Sequence, residues 1–187
     1  MFRIVILFAT AALCQADLPV TPPPIRCGYI PTKIYSCLGN PKLFKSDISA
    51  QCTKSTSECD RMKCIFKKSG WTDDANNVDR AKVIAHFDQF AKDHPAWAPA
   101  VNHVKASCLA GNLPPQGYEL NCPPYDIVHC ALSGFFKNAQ PSQWSSSEEC
   151  SYPRQFAAAC PVCPESCFAA AIPYGSCNAC RLLPQTP

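Results

Sequence analysis

The chain has 187 residues, of which 15 are cysteine, 19 are proline and only seven are glycine, and its formal net charge is +3. This length allows one domain with a core of its own. Because the lysines are dispersed and do not alternate with aromatic residues, the composition excludes a typical nucleic-acid-binding face. Because glycine is scarce, a glycine-rich phosphate loop is excluded as well.

The first sixteen residues, MFRIVILFATAALCQA, have the three parts of a secretory signal peptide. Arg3 forms a short basic start, Ile4 to Leu13 form an apolar run, and cleavage is expected after Ala16. The apolar run is half as long as the roughly 20 residues that a transmembrane helix needs. The sequence therefore predicts a secreted, extracellular protein without stable membrane insertion.

Cleavage after residue 16 would remove Cys14 and leave fourteen of the fifteen cysteines. An even number in a secreted chain is typical of a framework in which every cysteine is bridged. The sequence therefore predicts that all fourteen are oxidised and that none of them binds a metal ion. No cofactor is expected.

Residues 17–54 form an N-terminal segment rich in proline and cysteine, with one weak helix near Leu43 to Ala50. A stronger helix is predicted from about Ser55 to Ser69, because helix-forming residues fill this stretch and Gly70 supplies a stop.

Cys59 and Cys64 lie five positions apart in that helix. Such a pair suits a metal site, a redox centre or two anchor points for disulfides. The predicted secretion favours the anchor points. On a continuous helix five positions turn the chain by about 140°, so the two cysteines are expected to face different partners, unless Cys59 lies in a frayed first turn.

Three amphipathic helices follow. The clearest lies within residues 76–95, a second runs from about Ala96 to Ala110, and a third lies within residues 122–138, where two prolines suit the first turn. Their apolar stripes are Val83, Ile84, Phe87, Phe90 and Ala91, then Trp97, Val101, Val104 and Cys108, and then Ile127, Ala131, Leu132, Phe135 and Phe136. Since no segment has the alternation of a β-strand, the predicted fold class is all-α.

From Gln140 onward the chain is rich in serine, proline and cysteine. Residues 140–187 are predicted to be a loop-rich, cysteine-rich C-terminal extension that packs on a helical ligand-binding core, residues 55–139, within one domain. The pairs Cys160/Cys163 and Cys177/Cys180 have the spacing of a zinc ribbon. The signal peptide, the even cysteine count and a further cysteine between the two pairs favour structural disulfides instead.

The sequence contains no catalytic constellation, and the protein is not expected to be an enzyme. Its four histidines are His86, His94, His103 and His129. Asp126 lies three residues before His129, but no nucleophile motif accompanies the two. We interpret them as a surface pair on the third helix.

The three apolar stripes permit two interpretations. They can form an ordinary packed core, or the disulfides, typically worth about 2–4 kcal/mol each, can replace part of the packing energy and allow a cavity of several hundred Å³. Composition does not choose between them.

Across residues 59–130 the chain resembles the insect odorant-binding proteins of the pheromone-binding and general odorant-binding type, which are small secreted six-helix carriers. The ordered cysteines carry this resemblance: Cys59 and Cys64 on one helix, then Cys108, then Cys122 and Cys130. The stretches ECDRMKCIFKKSGW and FFKNAQPSQW are also similar, and the later cysteines and prolines resemble the long Plus-C subgroup. Two spacings depart from the family: four residues instead of three separate the first pair, and seven instead of eight separate the last.

The resemblance implies a disulfide-rich six-helix fold with a cysteine-rich C-terminal extension. It implies the pairs Cys59–Cys122 and Cys108–Cys130, while Cys64 takes an N-terminal cysteine; Cys27 or Cys37 would be the family's first cysteine. The function it implies is chemosensory: transport of a small hydrophobic ligand of the odorant, pheromone, lipid or plant-compound class. A chemosensory receptor or a second copy of the chain would be the further partner.

The ligand would lie in an internal apolar pocket formed by the three stripes. Its predicted lining is Val83, Phe87, Phe90, Trp97, Val101, Val104, Ile127, Leu132 and Phe135. The alternative function is a disulfide-rich extracellular inhibitor or a structural or interaction protein, for which the Cys160–Cys180 tail would supply a rigid exposed loop.

Overall fold

The structure, a computed structural model, describes residues 31–39, 42–114 and 120–160. Seven α-helices lie in this part of the chain: α1 Ile34–Cys37, α2 Ser46–Gln51, α3 Glu58–Lys68, α4 Arg80–Asp93, α5 Ala98–Val104, α6 Pro123–Lys137 and α7 Ser151–Ala159. Its β-structure is limited to two isolated bridges. The all-α, disulfide-rich class is confirmed. The signal peptide and the cysteines from Cys163 to Cys180 lie outside the described residues.

Helix α3 begins and ends with clear capping interactions. The side chain of Ser57 accepts the N–H of Asp60 at its start. At its end Gly70 has φ of 75°, and the N–H of Trp71 bonds to the carbonyl of Phe66 at 2.9 Å. This is a Schellman motif, and it confirms the predicted stop while directing Trp71 into the core.

Helix α4 follows the predicted apolar stripe. Asp79 caps its start by accepting the N–H of Lys82, and the helix ends two residues before Pro95. Val83, Phe87 and Phe90 are its buried residues. The periodicity of the sequence therefore correctly gave the face that packs inward.

The predicted second helix consists of three consecutive helical segments. Pro95–Trp97 is a 3-10 turn, α5 follows, and Lys105–Leu109 is a π-helical segment. The guanidinium of Arg80 on α4 donates to the carbonyl oxygens of Leu109 and Gly111, at 3.0 and 2.6 Å. It thereby satisfies carbonyl groups that the end of the helix leaves without helical partners.

Helix α6 lies in the centre of the main hydrophobic cluster and contacts α3, α5 and α7. Its packing against α5 is close, because a Cβ atom at Gly134 would lie 3.0 Å from a methyl group of Val104. This contact brings the second and third predicted stripes together.

The structure corrects the prediction for the beginning of the C-terminal extension. Residues 151–159 are not a loop but helix α7, whose Phe156 is buried in the main cluster. The ammonium group of Lys137, at the end of α6, donates to the carbonyl oxygens of Ala157, at 2.6 Å, and Cys160. These bonds hold the end of α7 against α6.

Four disulfides are described: Cys37–Cys150, Cys52–Cys64, Cys59–Cys122 and Cys108–Cys130. The last two are the pairs that the resemblance implied. Cys59 and Cys64 end two different bridges, as their spacing predicted. Cys64 pairs with Cys52, so Cys37 is not its partner. All nine cysteines within the described residues are disulfide-bonded.

Candidate functional site

The loop between α1 and α2 places two apolar side chains, Leu43 and Phe44, against the helical core. Leu43 is buried and Phe44 is half-buried. Nε2 of His86 on α4 lies 3.0 Å from the carbonyl oxygen of Leu43, and since that oxygen can only accept, the imidazole donates. The loop is therefore joined to α4 by one hydrogen bond and to the core by two side chains.

An open groove of about 400 Å³ lies on the outer side of this loop. We call it the outer groove. It is lined by Lys42, Leu43, Phe44, Ser46, Ser49, Ala50, Thr53 and Leu132. Its lining thus combines apolar side chains with three hydroxyl groups and one ammonium group.

A small, partly enclosed space, the inner chamber, adjoins the same two residues. It is lined by Leu43, Phe44, Phe66, Trp71, Val83, Phe87, Ile127, Val128 and Ala131, all of them apolar or aromatic, and its volume is about 10 Å³. That is the space of about one water-sized sphere. Because Leu43 and Phe44 line both spaces, they form the wall between groove and chamber.

Aromatic rings surround the wall. The ring of Trp71 lies 5.9 Å from that of Phe44, 5.2 Å from that of Phe66 and 4.5 Å from that of His86, measured between ring centroids. Such distances are typical of favourable aromatic pairs. The side of the wall that faces the core is thus an aromatic surface.

The structure divides the predicted pocket lining. Val83, Phe87 and Ile127 line the inner chamber, and Leu132 lines the outer groove. The linings of these two spaces do not include the other five, which are buried in the main cluster: Phe90, Trp97, Val101, Val104 and Phe135.

Phe135 shows how these five residues are used. Its ring centroid lies 5.2 Å from that of Trp97, 5.6 Å from that of Phe90 and 6.3 Å from that of Phe87. The side chain is fully buried. Around Phe135 the three stripes therefore form the packed core of the first interpretation.

The sequence predicted neither residue of the wall as part of the site. Leu43 was placed in a weak helix, but α2 begins only at Ser46, so both wall residues belong to a loop. The available signal was an apolar pair beside Pro41, in a stretch without helical periodicity. Such a pair indicates that a loop is anchored, but not which helices it contacts.

The interpretation of Asp126 and His129 as a surface pair is wrong. Asp126 is buried, and its carboxylate accepts the N–H groups of Leu120 and Cys122 at 2.9 and 2.7 Å. His129 is half-buried and stacks on Tyr125, with ring centroids 6.1 Å apart. Burial lowers the pKa of His129, and the nearby charge of Asp126 acts in the opposite direction. The carboxylate orders the chain that leads into α6.

A second groove, of about 180 Å³, is lined by Lys63, Cys64, Lys67, Thr72, Asn76 and Pro124. It is smaller than the outer groove. Within the described residues, no group of three or more histidine, cysteine, aspartate or glutamate side chains is placed to hold a metal ion. No helix in the same part of the chain is long and apolar enough to cross a membrane.

Comparison of the chain with protein-family models, curated proteins and solved structures finds no match.

Proposed function

We propose that the protein is a secreted carrier of a small hydrophobic ligand, built like the insect odorant-binding proteins that it resembles. The ligand binds in the outer groove, with its apolar part against Leu43, Phe44 and Leu132. The observation that carries the proposal is an open groove of ligand size that shares the apolar residues Leu43 and Phe44 with a small chamber lined by apolar and aromatic side chains.

The size of the groove supports this function. Its volume of about 400 Å³ lies in the range of small-molecule sites, roughly 300–1,000 Å³. Apolar surface removed from water stabilises a complex by about 25 cal/mol per Å². After the costs of association, micromolar affinity is expected.

The covalent framework also supports it. Helix α2 supplies one side of the groove, yet none of its six residues is fully buried. The Cys52–Cys64 bridge ties the residue after α2 to α3. A disulfide that holds an element in place of core packing leaves the apolar surface beside that element free for a ligand.

Secretion is part of the proposal. Disulfides persist in oxidising compartments, and all nine cysteines within the described residues are bridged. The signal peptide predicted for residues 1–16 would direct the chain there.

The test is a fluorescence titration with the neutral apolar dye N-phenyl-1-naphthylamine. Ala50 is exposed and lines the groove, so Ala50→Trp fills the site from outside the core. The exposed Ala81 on α4 lines neither space, and Ala81→Trp is the matched control. We expect saturable micromolar binding that Ala50→Trp weakens at least about ten-fold, because the added ring occupies the ligand's volume, while the control leaves it unchanged. Absence of saturable binding, or equal loss in both variants, would overturn the proposal.

A further inference from the structure

The side chain of Phe44 is placed like a bound ligand. It extends from a loop rather than a helix, is half-buried, and lines both the outer groove and the inner chamber. It also packs against both hydrophobic clusters of the protein. Its ring is therefore an apolar group that fills the passage between groove and chamber.

The aromatic surface beneath Phe44 does not depend on it. Trp71 is fixed by the Schellman motif at the end of α3 and by ring contacts with Phe66 and His86. Phe87 on α4 also contacts the His86 ring, with centroids 5.6 Å apart. If Phe44 leaves, these four rings retain contacts with one another.

The attachment of Phe44 to the protein is weaker than that of a core residue. The hydrogen bond from His86 holds the preceding residue, and the next element, α2, buries none of its residues fully. Release of Phe44 therefore involves its own side chain and the loop immediately around it, while Leu43 stays buried and the Cys52–Cys64 bridge keeps α2 on α3.

We propose that Phe44 occupies, in the unliganded protein, the subsite for an aromatic ring of the ligand. This inference rests on the proposed function and names the ligand class: a small molecule with one aromatic ring and one polar substituent. The ring replaces that of Phe44 against Trp71. The substituent remains in the outer groove, beside the hydroxyl groups of Ser46, Ser49 and Thr53.

If the ligand's aromatic ring replaces that of Phe44, removing the Phe44 ring by mutation should increase the affinity for the ligand. A ligand that must first displace Phe44 binds more weakly, because its apparent Kd equals the intrinsic Kd divided by the fraction of molecules in which the subsite is open. Phe44→Ala leaves the subsite open in every molecule. It should bind 2-phenylethanol about ten-fold more tightly than the wild type does.

Calorimetric titrations with 2-phenylethanol, 2-cyclohexylethanol and 1-octanol test the inference, because the three neutral alcohols have equal carbon number. We expect the wild type to prefer the aromatic alcohol to its cyclohexyl counterpart by about three-fold or more. The control is Ile48→Ala, which removes a half-buried apolar side chain of α2 that lines neither space. It should bind like the wild type. Phe44→Leu should change affinity in the same direction as Phe44→Ala, by a smaller factor, and serves if the alanine variant does not fold.

Two results overturn the inference and leave the carrier function standing: equal affinity for the aromatic and cyclohexyl alcohols, or no gain in either Phe44 variant, while N-phenyl-1-naphthylamine still binds in the groove. If the wild type shows no saturable binding of the dye or of any alcohol, the proposed function fails with it.

Discussion

At the residue scale, His86 connects the wall to the core. Its imidazole donates to Leu43 and lies against the ring of Trp71. Burial lowers its pKa; the hydrogen bond to Leu43 acts in the opposite direction, and the charge of Lys45 lowers the pKa further. The folded protein thus prefers the neutral ring at this position.

The pH dependence of stability follows from this preference. Burial lowers the pKa of both His86 and His129 below the ordinary value of 6.5. As the pH falls below about 6.5, the unfolded chain takes up protons first. The free energy of unfolding should therefore decrease until the pH has passed the folded-state pKa values, and it should be unaffected by these groups above pH 7.

Urea unfolding between pH 7.5 and 5 measures this effect. His86→Gln should reduce the dependence on pH, whereas Asn102→Gln, at an exposed position without a titratable side chain, should leave it as in the wild type. A slope that is identical in both variants would show that His86 is not the titrating group.

Asp126 shows what a local pattern omits. The three-residue spacing to His129 was read correctly from the sequence, but the burial of Asp126 was not. That burial results from the chain at Leu120 and Cys122, whose N–H groups converge on the carboxylate. Helical spacing contains no information on how a preceding loop folds back.

At the element scale, the end of α3 gives a direct test of local backbone strain. Gly70 has φ of 75°, and no atom lies within 4 Å of the position of an added Cβ. Gly70→Ala should therefore lower the free energy of unfolding by about 1–2 kcal/mol through backbone conformation alone. The measurement is chemical denaturation.

Gly111 provides the matched control. Its added Cβ would also meet no atom within 4 Å, and its φ is not in the left-handed region. Gly111→Ala should leave stability unchanged or raise it slightly. Equal effects of the two substitutions would contradict the role given to the Schellman motif.

The sequence predicted α3, α4 and α6 because each has a long apolar stripe and clear start or stop signals. It missed α7, which is nine residues long and contains Pro153 within a segment dominated by loop-forming residues. The π-helical end of the second predicted helix was missed as well, since a π segment arises from tertiary packing and leaves no pattern of its own.

At the scale of the whole molecule, the disulfides connect segments that are far apart in the chain. Cys37–Cys150 joins the end of α1 to the turn before α7 across a sequence separation of 113 residues. The sequence separation of Cys52–Cys64 is only 12 residues. A bridge stabilises mainly by restricting the unfolded chain, and more so for longer loops.

Because Cys59–Cys122 shortens the effective loop that Cys37–Cys150 closes, replacing both cysteines of Cys37–Cys150 by serine should cost about 1 kcal/mol more than the same replacement of Cys52–Cys64. Denaturation of the two double variants under oxidising conditions compares the costs. If the two replacements lower the free energy of unfolding equally, the short bridge acts mainly by keeping α2 in place in the folded state and not by restricting the unfolded chain.

The candidate site was less predictable than the fold. The periodicity of the helical segments predicted which residues face inward. The wall, however, is formed by Leu43 and Phe44, which lie in a loop without periodicity. Which residues line a space depends on how completely the helices pack. Phe135 fills its surroundings, while Val83 and Ile127 adjoin a gap. No pattern in one segment encodes this difference.

The central claim is that a hydrophobic ligand binds at the wall between the outer groove and the inner chamber. Methyl-labelled NMR spectra recorded during a titration with N-phenyl-1-naphthylamine test it most directly. The methyl groups of Leu43, Leu132 and Val128 should shift in a saturable manner, whereas those of the buried Val101 and Val104 should not. Shifts confined to Val101 and Val104, or no saturable shift at any methyl group, would contradict the claim.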